Sequence, residues 1–95
     1  MAARLWARII RHHRIAQQDI RSCDWGDERE VLREICRDFD VPAPMWFHKQ
    51  EHEFEEFHRT AFLKENFMED IAFEKLEIEF VDEQQHKSED PRNQF

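Results

Sequence analysis

A single glycine stands among 95 residues, tyrosine is absent, and proline and cysteine number only 3 and 2. Each scarcity excludes something. Phosphate cradles and dinucleotide loops need several glycines for the backbone to approach its ligand closely, so Gly26 alone excludes nucleotide sites of those kinds. Two cysteines, Cys23 and Cys36, are too few for a disulfide scaffold. They are read as buried, reduced thiols. No uncharged apolar run approaches the roughly 20 residues that cross a bilayer, and Met1-Ala2-Ala3-Arg4-Leu5 lacks the apolar stretch of a secretory signal. The expectation is a soluble, cytoplasmic protein with no membrane partner.

What is present is an ordinary globular mixture, 40% hydrophobic and 38% charged, in a length that supports one core. With nine phenylalanines and three tryptophans and no tyrosine, the aromatic surface is apolar and belongs mostly to that core. Residues 83 to 95, EQQHKSEDPRNQF, hold no apolar group before Phe95. Composition of that kind reads as a disordered tail behind a single domain of residues 1 to 82.

The net charge of -8 is unevenly placed. Arg4, Arg8, Arg11, Arg14 and Arg21 face only Asp19 within the first 21 residues, while the remainder is strongly acidic. A basic arm on an acidic body either binds nucleic acid or finds its counter-charges within the fold. The second is favoured, because an acidic body repels a phosphate backbone.

Residues 4 to 21 are rich in β-branched and aromatic residues on either side of His12-His13, which predicts a β-hairpin with a two-residue turn. Histidine is among the non-glycine residues that tolerate the positive φ such a turn requires. Pairing Arg11 with Arg14, Ile10 with Ile15, Ile9 with Ala16 and Leu5 with Ile20 puts Leu5, Ala7, Ile9, Ala16 and Ile20 on the core face. The other face then carries Trp6, Arg8, Ile10, Ile15, Gln17 and Asp19. A helix starts at Asp27, with Glu30 completing an acidic variant of the capping box, and buries Val31, Leu32, Ile35, Cys36 and Phe39. Asp40-Val41-Pro42-Ala43-Pro44 ends it. A second helix is read over residues 48 to 59, with Phe54 and Phe57 inward, and Thr60 then caps a short turn through Ala61, Phe62 and Leu63. Trp25 and Trp46 are placed as core plugs beside the loops. In KLEIEFVD, residues 75 to 82, Leu76, Ile78 and Phe80 alternate with Glu77, Glu79 and Val81, the clearest strand in the chain.

The predicted fold is therefore α+β: a small ββααβ domain, with a three-stranded antiparallel sheet and two helices on one face. Joining the last strand to the hairpin sets Glu77 and Glu79 on the outer face with Arg8, and, depending on register, Arg8 and one or more of Arg4, Arg11 and Arg14 sit beside these carboxylates. Trp6, Ile10 and Ile15 share that face without a cover.

Chemistry-bearing constellations are few. His48 and His52 stand four apart in FHKQEHEFEEFH, a spacing that can chelate a transition metal on a helix. The glutamate that a zinc-protease helix places directly after its first histidine is missing, and the cysteines are 13 apart. Solvated helix histidines are the expectation, with no metal and no cofactor. A nucleophile needs an adjacent base and an orienting third group, and neither Cys23 nor Ser22 has them in the sequence pattern. The expected role is accordingly non-catalytic: a protein-interaction domain that binds a protein partner or a second copy of itself through the outer hairpin face or a sheet edge. The candidate contact residues are Trp6, Arg8, Ile10, Arg11, Arg14 and Ile15. The alternative is a nucleic-acid-binding protein that uses the basic hairpin, with Trp6 as a stacking ring.

Overall fold

The computed structural model describes residues 3 to 82; the segment read as a disordered tail lies outside them. Strands β1 (Ala3–Arg11) and β2 (Arg14–Ser22) form the hairpin, followed by helices α1 (Glu28–Phe39) and α2 (His48–Phe57), strand β3 (Arg59–Phe62), a single 3-10 turn at Lys64–Asn66, and strand β4 (Lys75–Asp82). The class is α+β. The sheet, however, has four strands rather than three, antiparallel throughout in the order β2-β1-β4-β3, and the element order is ββααββ rather than ββααβ.

The hairpin turn forms as its residues predict, with His12 and His13 at φ 55° and 63°. Arg11 pairs with Arg14 and Ile10 with Ile15, and then the register shifts so that Ile9 meets Gln17. Ala16 is the extra residue of a β-bulge. Because side chains alternate with a period of two, one extra residue flips everything beyond it. Ile20 consequently pairs with Trp6 instead of Leu5 and sits 42% exposed on the outer face, not in the core. Gln17, Asp19 and Arg21 move to the inner side, opposite Ile9, Ala7 and Leu5.

One face of the sheet is buried. Leu5, Ala7 and Ile9 of β1, Leu76, Ile78 and Phe80 of β4 and Phe62 of β3 form a single cluster with Leu32, Ile35 and Cys36 of α1 and Phe54 of α2. Val31 and Phe39 pack against it only partly buried. At the flank, Arg21 closes the helix layer onto β2, holding Asp19 at 2.9 Å and hydrogen-bonding Asp38 of α1. Asp27 makes no side-chain cap; Glu28 instead accepts a hydrogen bond from the Gly26 amide at 2.7 Å.

Helix α2 ends two residues early. His58 adopts the left-handed conformation at φ 61°, its amide donating back to the Phe54 carbonyl, and the Phe80 amide then donates to the His58 carbonyl at 2.7 Å. The chain enters β3 directly, so Thr60 and Phe62 are buried strand residues and not parts of a capped turn. Phe57, expected inside, is the last residue of α2 and is 63% exposed. A polar knot secures this region: fully buried Asn66 donates to the Met45 carbonyl at 2.8 Å and to Gln50 Oε1 at 3.0 Å, and accepts from the Leu63 amide at 3.1 Å. Gln50 in turn donates to the Ala61 carbonyl at 3.2 Å.

Candidate interaction face

Four cross-strand rows build the outer face of the sheet. They run Ser22–Arg4–Val81, Ile20–Trp6–Glu79–Arg59, Gln18–Arg8–Glu77–Ala61 and Ile15–Ile10–Lys75. Trp6, Arg8, Ile10 and Ile15 therefore share one surface as the alternation predicts, and the bulge adds Ile20 to them. Arg11 and Arg14 face each other at the exposed hairpin tip, on the opposite pleat from Arg8. The six candidate residues thus divide into an apolar strip and a basic tip.

Arg8 and Lys75 find their counter-charges within the strip. Arg8 Nε lies 3.1 Å from Glu77 Oε1 and one of its terminal nitrogens 3.7 Å from Glu79, while Lys75 Nζ holds the second Glu77 oxygen at 3.3 Å. The Arg8 guanidinium also covers the Trp6 ring at 4.3 Å, leaving its side chain 15% exposed. Trp6 Nε1 donates to Gln18 Oε1 at 3.0 Å, which fixes the indole across β1 and β2. Beside it, Trp6, Gln18, Asp19 and Ile20 enclose a shallow hollow of about 410 Å3. Ile15, 48% exposed, extends the apolar surface toward the tip. This strip borders β2, a nine-residue strand at the end of the sheet.

The remaining candidates lie apart. His48 opens α2, and His52 on the same helix is exposed and pairs with Glu56 at 3.1 Å. Among the described residues no group of three histidine, cysteine or acidic side chains converges as a metal site requires. Cys23 and Cys36 are both buried and free. Burial, reinforced by Glu28, Asp27 and Asp24, pushes the Cys23 thiol up to about 12, and burial alone pushes Cys36 up to about 11. Both are protonated and poorly nucleophilic at neutral pH. No described helix is long and apolar enough to cross a membrane. The chain matches no family model, no curated protein and no solved structure, so the geometry alone bears on function.

Proposed function

We propose that this is a non-catalytic protein-interaction domain whose partner lies across the outer strip formed by Trp6, Ile10, Ile15 and Ile20. The observation that supports this reading is the pairing of an apolar strip, exposed at Ile15 and Ile20 and partly so at Trp6 and Ile10, with an arginine already neutralised in cis: Arg8 is spent on Glu77 and Glu79. A surface of that kind offers a polypeptide an aromatic anchor of the type that dominates interface energy. It offers a phosphate backbone little, since phosphate contacts require cations whose counterions can be released. A partner seated there also reaches the rim of β2, where a further strand can add to the sheet.

The test compares Trp6→Ala with the pair Arg11→Ala and Arg14→Ala. Partner recovery is scored for each, together with binding of an arbitrary oligonucleotide at low and moderate salt. The reading expects Trp6→Ala to lose about 2 kcal/mol or more of partner affinity, as a central aromatic anchor does. The tip arginines should change mainly the association rate. Steeply salt-dependent oligonucleotide binding that survives Trp6→Ala and vanishes with the arginines would establish the nucleic-acid reading instead. A measured solution mass shows whether the partner is a second copy.

A further inference from the structure

On the helix side of the sheet, separate from the outer strip, two tryptophans flank a hollow of about 370 Å3 over Phe54. Trp25 lies parallel to Phe54, centroids 5.5 Å apart and planes 3° from each other, while Trp46 stands against the same ring at 87°. Trp25 also meets the Phe80 ring at 5.0 Å and the His58 ring at 5.1 Å yet remains 51% exposed. Gly26, at φ 109° and tied to Glu28, sets the loop that presents it. Glu51 and Glu55 complete the rim. The hollow already holds one cation from the chain itself: the Arg29 guanidinium sits 5.0 Å over the Trp46 ring, anchored by Glu51.

Aromatic faces attract cations through their quadrupole, most strongly for weakly hydrated alkylated ammonium groups enclosed by several rings. Carboxylates at the rim add a long-range term, and the net charge of -8 steers cationic segments toward the molecule. We propose that this hollow binds a methylated lysine side chain on a partner polypeptide, inserted between Trp25 and Trp46 with Glu55 at its rim. Arg29 is then an internal competitor that swings aside with Glu51 when the ligand enters.

Tryptophan fluorescence and calorimetry on the full chain test this with four probes: a trimethyl-lysine peptide, the same peptide unmethylated, its neutral tert-butyl isostere, and phosphatidylcholine vesicles. The trimethyl-lysine peptide should bind about tenfold or more tighter than the unmethylated or neutral peptides, the discrimination of a multi-ring cation site, and the vesicles should not bind. Trp25→Leu and Glu55→Gln should weaken binding severalfold, whereas Arg29→Ala should strengthen it by vacating Trp46. Retained melting temperature in Glu55→Gln and Arg29→Ala separates loss of the site from loss of fold. Equal affinity for charged and neutral peptides, weakening by Arg29→Ala, or binding of the vesicles in place of the peptide overturns the proposal. Trp6→Ala leaves this site intact, so failure here is distinguishable from failure of the outer strip.

Discussion

Replacing Asn66 by alanine should be among the most damaging changes to this protein, although no charge and no large apolar group is lost. Asn66 is fully buried and its side chain makes four hydrogen bonds, donating to the Met45 carbonyl and Gln50 Oε1 and accepting from the Leu63 amide and Gln50 Nε2. Each intramolecular hydrogen bond contributes about 1 kcal/mol net, and a buried group stranded without a partner costs about 1 to 3 kcal/mol. Gln50 keeps the Phe47 amide and the Ala61 carbonyl, so the stranded groups are chiefly those of Met45 and Leu63. The expected loss is about 3 to 5 kcal/mol, out of a total near 5 to 15 kcal/mol for a small domain. Urea unfolding should show a lower midpoint with an unchanged slope, and the melting temperature should fall by about 4 to 8 °C per kcal/mol. Asn66→Asp should lose at least as much, because acceptor oxygens then oppose the Met45 carbonyl and Gln50 Oε1. A loss below about 1 kcal/mol for either variant would refute the structural role of this knot.

Phe80→Ala should cost about 3 to 5 kcal/mol, whereas Phe57→Ala, on a residue 63% exposed, should change stability by less than about 0.5 kcal/mol; paired chemical denaturation checks both. The Arg21 hydrogen bond holds the Asp38 carboxyl below its ordinary range. A carboxyl lowered by folding stabilises the fold above its unfolded value and loses that contribution as pH falls through the lowered one, so Asp38→Asn should flatten the acid limb of the stability profile while leaving its neutral shape. With thiols pushed up to about 12 at Cys23 and about 11 at Cys36, alkylation at neutral pH should be slow in the native protein and accelerate sharply in denaturant.

The parts of the fold legible in the sequence are those set by local rules. His12-His13 marked the turn, the alternation in residues 75 to 82 marked β4, and the three-and-four spacing of Leu32, Ile35 and Cys36 marked the face of α1. What was not legible depends on pairing across the chain. A bulge at Ala16 leaves no mark in a strand of RIAQQDIRS, yet it decides that Ile20 joins Trp6 outside. Strand β3 is four residues long and follows a helix ending at a left-handed histidine instead of a glycine; the polar run from His48 to Arg59 hides that boundary. The Asn66–Gln50 knot joins residues 16 apart through groups that any loop might contain. Of the candidate contact residues, Trp6, Arg8, Ile10 and Ile15 were readable from alternation, and Ile20 was not. Trp25 and Trp46 beside their loops have the sequence signature of core plugs, and nothing in the sequence marks that Trp25 stays half open.

The most direct test of the outer strip places a photo-crosslinking residue at Ile20, and for comparison at Glu34 on the exposed side of α1, in the full chain inside cells. The account predicts a discrete protein adduct from position 20 that is absent from position 34 and lost when Trp6→Ala is added. Adducts equal at the two positions, unaffected by Trp6→Ala, or formed with nucleic acid instead of protein would contradict it.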